Sequence, residues 1–444
     1  MNHKQKPLRV LMISEHASPL AVAGGVDAGG QNVYVDSVAR ELVRAGHSVD
    51  VLTRRDDAHL PGVVTCAPRL RVHHLTAGPP RPVPKEALLP YMPAFAHSAR
   101  QRLRGEPAFD VIHANFFMSG LVGLALRRSL RAPLVTTFHA LGLVRRAHQG
   151  ADDAFPAARL SIERALVQHS ARLVAECPQE RHDLIQSYGA DPQRISLVPC
   201  GVDLDRFRPG DRGAARARLG LPVDEFIVLQ LGRLVPRKGI DNVVRALAML
   251  PRHWPARLVV VGGDSDAPNE VLTPEIGRLR RLAADHGVAD RVHFAGRHGR
   301  DALRDWYVAA DVFVTTPWYE PFGMTPLEAM ACGTPVIGSE VGGIQHTVRD
   351  GVTGFLVPPR DPAALAQRLI ELRHRPALCR ALGAAGVARV RQFFTWDRVA
   401  RGLEAVYREA REPLPAAAPV GAWRQAGARR SRPVEAGSAL GEAR

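Results

Sequence analysis

From residue 8 to about 358, short β-rich runs alternate with amphipathic helical stretches, and the series starts twice. The strand candidates of the first half are RVLMI, SVDVLT, RLRVHHL, FDVIHA, PLVTTF, RLVAEC and ISLVP; those of the second are FIVLQLG, RLVVVGG, RVHFAG, DVFVTT, PVIGS and GFLVP. Their apolar stretches are nearly continuous, as expected of parallel strands covered by helices on both faces. Two successive βα series predict an α/β protein of two Rossmann-like, doubly wound parallel-sheet domains. The length of 444 residues agrees, since it suits two domains of about 200 residues each. The break falls in GVDLDRFRPGDRG, residues 201–213, separating a first domain of 1–205 from a second of 206–394. Residues 412–444 are rich in Pro, Ala, Gly and Arg with few large apolar side chains, and are expected to be disordered.

Lys and Arg outnumber Asp and Glu by 59 to 44, which makes a polyanionic partner the first function class to consider. The positive charges are spread along the whole chain, without base-stacking aromatics, paired zinc ligands or a basic helix, so no nucleic-acid partner is expected. Only four lysines occur, Lys4, Lys6, Lys85 and Lys238, against 55 arginines. Lysine is therefore informative wherever it stands, because a compact ammonium suits a phosphate reached at close range. The five cysteines form no CxxC pair or zinc spacing, and their odd number points to a reducing compartment. The first residues lack the pattern of a signal peptide, and no apolar run approaches the roughly 18 residues that span a bilayer. A cytoplasmic, soluble protein with no stable membrane insertion is expected.

Open α/β sheets bind ligands beyond the carboxyl ends of their strands. After the first strand, Gly29 and Gly30 open a helix, where backbone N–H groups and the helix dipole can hold an anion; the same glycines also fit a plain flexible turn. The loop is neither GxGxxG nor a Walker P-loop. In the second half, LGRLVPRKGID presents Arg233 and Lys238 just before a helix, where the two cations can converge on one diphosphate. Further on, YEPFGMTPLE places Glu320 in a loop and Glu328 in the following helix, with the Phe322-Gly323-Met324 turn between them. A ligand with two sets of vicinal hydroxyls around a diphosphate would use two such carboxylates, although a Glu early in a helix also suits the dipole.

Arg233, Lys238, Glu320 and Glu328 together resemble the retaining nucleotide-sugar glycosyltransferases of the GT-B fold, glycosyltransferase group 1, which includes sucrose synthase, sucrose-phosphate synthase and the inositol-phosphate enzymes. The two glutamates are similar to that group's E-x7-E motif, and DAGGQNVYV, LVPCGVD and GGIQHTVRDGVTGFLVPPRDPAALA also match. The resemblance implies two domains facing a central cleft, with a helix of about 395–411 packing back on the first. It implies that Arg233 and Lys238 bind the donor diphosphate, that Glu320 holds the donor sugar and that Glu328 holds the ribose. Gly29, Gly30, Arg297, Phe322, Gly323 and Met324 would complete the donor site, and His139, in TTFHALG, would sit by the reacting sugar. Asn32, Lys85, Phe116 and Arg159 would form the acceptor side. There Phe116 replaces the family's tyrosine, and Ala140 a threonine, so two hydroxyls are missing from a set that binds an acceptor phosphate.

The implied reaction moves a hexose from a nucleoside-diphosphate sugar, a UDP-sugar first, to an acceptor hydroxyl on a sugar or polyol that could carry a phosphate. It implies retained configuration, no metal and no cofactor besides the donor itself. The rivals are a metal-dependent transferase using Asp203-Leu204-Asp205 or Asp264-Ser265-Asp266, a 2-epimerase or phosphorylase on the same fold, and a nucleotide-sugar binding protein without turnover.

Overall fold

The near-continuous apolar runs become strands β1 (Arg9–Ile13), β2 (Ser48–Arg54), β3 (Val63–Ala67), β4 (Leu70–Leu75), β5 (Val111–Asn115), β6 (Leu134–Thr137), β7 (Arg172–Ala175) and β8 (Ile195–Leu197). A second set comprises β9 (Phe226–Leu231), β10 (Ala256–Val261), β11 (Val292–Gly296), β12 (Val312–Thr315), β13 (Val336–Ser339) and β14 (Gly354–Val357). The computed structural model in which these elements are seen describes residues 6–21 and 29–412. The expected tail lies, past Glu412, outside the described residues. Among the described residues no helix is long and apolar enough to cross a membrane.

The strands form two sheets, ordered β3-β4-β2-β1-β5-β6-β7-β8 and β11-β10-β9-β12-β13-β14. In each sheet the chain winds outward in one direction, returns to the middle and winds outward in the other. The reversals fall between β1 and β5 and between β9 and β12, where the following loops diverge and leave a crevice. The central strands are buried on both faces, with Val10 to Ile13 and Val312 to Val314 each 0% exposed. One strand departs from the expectation of wholly parallel sheets. β3 runs antiparallel to β4, with Val64 opposite Val72 and Ala67 opposite Leu70. It lies at the sheet's edge with its residues only partly covered, and the tight turn before β4 places Arg69 at φ 72°.

The last helix, Trp396–Ala410, returns to the first sheet and buries Leu403, Val406 and Tyr407 in one core cluster with Val10, Met12, Val35 and Val38. A buried polar contact of this helix is long-range: Tyr407 Oη is 2.7 Å from His113 Nδ1, and His113 Nε2 is 2.9 Å from Thr137 Oγ1. Burial, with a smaller contribution from nearby His139, pushes the His113 imidazole down to about 3, so it is neutral and can accept from the phenol. Where the chain first leaves the first domain, Val202 N–H donates to the carbonyl of Phe394 at 2.9 Å, and Val202 bridges Thr395. The outgoing and returning segments thus run side by side. Gly201 lies under Trp396, where a Cβ would come 2.7 Å from the indole.

Replacing Tyr407 with Phe removes the hydroxyl partner of His113 Nδ1 and leaves that buried nitrogen without a partner among the described residues. Tyr407→Phe should therefore cost about 1–2 kcal/mol of stability, read as a lower urea midpoint with an unchanged slope. An unchanged midpoint would show that the contact contributes nothing net.

Candidate active site

The two crevices open on a single cavity of about 550 Å³. Every site residue expected from sequence lines it: Gly29, Gly30, Asn32, Lys85, Phe116, His139 and Arg159 from the first domain, and Arg233, Lys238, Arg297, Glu320, Phe322, Gly323, Met324 and Glu328 from the second. The halves touch here. A Cβ on Gly30 would lie 3.2 Å from Met324 Sδ, and Cys177 Sγ donates to the carbonyl of Pro321 at 3.4 Å. The ring of Tyr319 stacks on His148 at 5.0 Å, and its hydroxyl accepts from Gln149 Nε2 at 2.5 Å.

On the second domain, the loop after β9 folds against the loop after β12. Gly239 sits at φ 66°, and a Cβ there would lie 1.9 Å from the carbonyl oxygen of Thr316, a position open only to glycine. Thr316 Oγ1 closes the contact by donating to the Gly239 carbonyl at 2.8 Å. This packing brings Lys238 Nζ to 2.5 Å from Glu320 Oε2, with Arg237 Nη1 at 3.8 Å from the same oxygen. Burial pushes the Glu320 carboxyl up, but Lys238, Arg237 and Arg233 together hold it below the usual range. Burial pushes the Lys238 ammonium down, and Arg237 and Arg233 add to that effect against the pull of Glu320. The site at rest is an ion pair surrounded by an excess of positive charge.

Glu328 lies in the helix Met324–Ala331, whose N-cap Gly323 adopts φ 92°. The residue is 6% exposed; Oε2 accepts from Tyr307 Oη at 2.8 Å, and Oε1 is 3.9 Å from Arg300 Nη2. Burial pushes this carboxyl up, opposed by Arg300, the Tyr307 hydrogen bond and Arg206. Arg297 reaches Asp266 Oδ1 at 3.2 Å, and Asp264 Oδ2 accepts from Thr273 Oγ1 at 3.3 Å, so both carboxylates of the second DxD triplet are already engaged. In the first triplet, Asp203 Oδ1 caps the N–H groups of Asp205 and Arg206.

On the first domain, His139 and Phe116 lie just past β6 and β5, at φ 56° and 88°. Such backbone is unfavourable for a side chain with a Cβ by about 1–3 kcal/mol, and persists where the surroundings impose it. His139 Nδ1 lies 2.9 Å from Glu176 Oε1, and Nε2 lies 3.1 Å from Asn115 Oδ1. The Asn115 amide nitrogen points at the carbonyls of Ile13 and His113, which fixes its orientation. Cys200 Sγ donates to the same Glu176 oxygen at 3.1 Å, and the Tyr34 ring meets the imidazole edge-on at 4.8 Å. Burial pushes the Glu176 carboxyl up, but His139 and Cys200 bring it below the usual range.

The expected acceptor residues are more occupied than sequence suggests. Asn32 Oδ1 accepts from Gly29 N–H at 2.9 Å, and Nδ2 donates to the Ser18 carbonyl at 3.0 Å, so this amide braces the glycine loop. Lys85 Nζ is 3.3 Å from Glu86. Arg159, 2% exposed, donates to Glu163 at 2.8 Å and to the Ala140 carbonyl at 2.5 Å, with its guanidinium over Phe116, Phe117 and Phe155. Its Nη1 has no hydrogen-bond partner among the described residues. Sequence reasoning did not single out Glu176, Arg145, Arg237 or Arg300, which line the cavity as well. Arg237 adjoins Lys238 and could have been found by that neighbourhood, but in a chain with 55 arginines Arg145 and Arg300 carry no signal of their own.

Residues 211–389 match the family Glycosyl transferases group 1, and residues 28–206 match Glycosyltransferase Family 4. The D-inositol 3-phosphate glycosyltransferase of Streptomyces bingchenggensis is 41% identical over 415 residues, covering 91% of this chain and 90% of its own. D-inositol 3-phosphate glycosyltransferase 1 of Catenulispora acidiphila is 42% identical over 412 residues, with 91% and 97% covered. Among solved structures, sucrose-phosphate synthase from Thermosynechococcus elongatus has a TM-score of 0.83 at 36% identity, covering 90% of this chain and 98% of that one. Anabaena Alr3699/HepE in complex with UDP-glucose has a TM-score of 0.69 at 21% identity, covering 90% and 100%, and shares the fold. The chain belongs to the group 1 glycosyltransferases and has their GT-B fold.

The Glu320 loop is held from behind by Gly342, where φ is 45° and a Cβ would lie 1.9 Å from the Glu320 carbonyl oxygen. Gly342→Ala should displace residues 319–323 while both sheets persist. The expected readout is hydrogen exchange about tenfold faster in that segment and unchanged in β9 and β12. Unaltered exchange in the loop would contradict the close packing.

Proposed function

We propose that this group 1 glycosyltransferase moves a hexose from a nucleoside-diphosphate sugar, a UDP-sugar first, to an acceptor hydroxyl, with retained anomeric configuration and without a metal ion. The observation that carries the reading is the Lys238–Glu320 pair at 2.5 Å, flanked by Arg237 and Arg233 and lining one cavity with Gly30 of the other domain. An anionic diphosphate would find cations and a helix N-terminus on its two sides. As it enters, Lys238 would turn part of its hydrogen bonding to phosphate and release Glu320 for the sugar hydroxyls. Glu328, with one oxygen not taken by Tyr307, would hold the ribose.

The chemistry is displacement at the anomeric carbon through an oxocarbenium-like transition state. As the glycosidic bond to phosphate breaks, charge gathers on the leaving diphosphate, where Arg233, Lys238 and the helix start at Gly30 act as preorganised donors. The acceptor hydroxyl attacks from the face the diphosphate leaves, and a donor phosphate oxygen takes its proton, so the proton balance needs no protein base. His139 faces the sugar, its ring fixed by Glu176 and Asn115. No cofactor beyond the donor is required. The engagement of Asp264 with Thr273 and of Asp266 with Arg297 supports the metal-free reading.

For the acceptor, Lys85 and Arg159, with Asn32 and Phe116, suggest a phosphorylated sugar or polyol. Relatives are named for D-inositol 3-phosphate, but Phe116 and Ala140 present no hydroxyl, so a different phosphorylated acceptor suits the wall at least as well. The decisive assay pairs nucleotide sugars with acceptors in phosphorylated and dephosphorylated form and identifies the product anomer. The expected outcome is a retained anomer, turnover unaffected by excess chelator, and a preference for the phosphorylated form that is lost in Lys85→Ala. An inverted anomer or equal use of the two forms would overturn the corresponding part. Lys238→Ala should lower kcat by about 10²–10³, as for loss of one donor to a developing oxyanion, with the fold retained by circular dichroism. Wild-type turnover in the variant would remove Lys238 from the mechanism.

A further inference from the structure

Arg300 follows β11 and lines the cavity beside Glu328. Its side chain is 16% exposed and its guanidinium lies 5.8 Å from the Phe207 ring. Nη2 is buried and has no hydrogen-bond partner among the described residues, although Glu328 Oε1 is only 3.9 Å away. That separation is too long for a hydrogen bond and leaves the arginine nitrogen unsatisfied, which for a buried charged donor is unfavourable. Tyr307 meanwhile occupies Glu328 Oε2 at 2.8 Å, and is itself held by Thr334 Oγ1, which donates to the Tyr307 carbonyl at 2.6 Å. The carboxylate is thus fixed in orientation with Oε1 turned to the arginine.

A hydroxyl group is one donor and two acceptors. Placed between these atoms, it donates to Glu328 Oε1 and accepts from Arg300 Nη2, with both contacts at ordinary hydrogen-bond length across a 3.9 Å gap. We infer that Arg300 is a second ribose-binding residue, which together with Glu328 clamps one hydroxyl of the donor's ribose and makes the site selective for ribonucleotides. This rests on the reading of Glu328 as the ribose carboxylate. The charge of Arg300 also helps to keep Glu328 ionised against burial, so the same arginine supplies a donor and preserves the acceptor.

The test is calorimetric. UDP, ADP and GDP are compared on the wild type, and the tightest binder is then set against its 2′-deoxy and 3′-deoxy forms on wild type, Arg300→Met, Arg300→Lys and Glu328→Ala. Wild type should bind the ribonucleotide about tenfold more tightly than at least one deoxy form, as for loss of a hydrogen bond to charged groups. Arg300→Met should bring that ratio close to one, and Arg300→Lys should restore part of it. Removal of the preference by Glu328→Ala but not by Arg300→Met would overturn the role of Arg300 and leave that of Glu328 standing. Retention of the full preference by Glu328→Ala would instead refute the ribose reading of Glu328 itself. Circular dichroism and thermal melting of each variant separate these outcomes from unfolding.

Discussion

A parallel sheet covered by helices on both faces has no open ground except at the ends of its strands. The polar groups of the site are therefore carried on loops and helices that follow the carboxyl ends of the strands, and the two reversals in strand order decide where those loops part. Because both reversals face one cavity, the cations after β9, the carboxylates after β12 and the glycines after β1 converge without needing long excursions of chain. The left-handed backbone of Phe116 and His139 follows from the same geometry, since each strand must turn sharply at its end to keep its last side chain in the cavity.

That convergence concentrates charge where water is scarce. An isolated buried ion is very unfavourable, and a pair offsets the cost only with good geometry. The glycosyltransferase site meets this by local pairing: Lys238 with Glu320, His139 with Glu176, and Arg159 with Glu163 under three aromatic rings. The pairs differ in completeness. Glu163 also accepts from the Gly142 N–H and the Tyr188 hydroxyl, as a structural brace would, whereas Lys238 and Glu320 retain capacity for further partners.

Much of this was legible in the sequence, for identifiable reasons. Strands buried on both faces read as apolar runs, and all were found except β3, whose partly covered edge residues VVTCA give no such run. Glu320 and Glu328 could be read because a turn and a helix start fix their spacing locally, and Lys238 because lysine is rare here. Glu176 was not legible, since its meaning comes from His139, 37 residues away just past a neighbouring strand. Nor was the bracing role of Asn32, which depends on the Ser18 carbonyl reached through a folded loop. Arg300 was hidden by composition: among 55 arginines nothing local marks the one whose unpaired nitrogen stands beside Glu328.

The paired crossings at Val202 and Phe394 to Thr395 have a mechanical meaning. A single connecting segment would let one half swivel freely on the other. Two segments joined by a hydrogen bond, with Trp396 seated on Gly201, constrain each other, because neither can shift without breaking the contact with its neighbour. Any movement of one half against the other would have to bend both crossings together, so the contact of Gly30 with Met324 and the contact of Gly201 with Trp396 are two ends of one constraint.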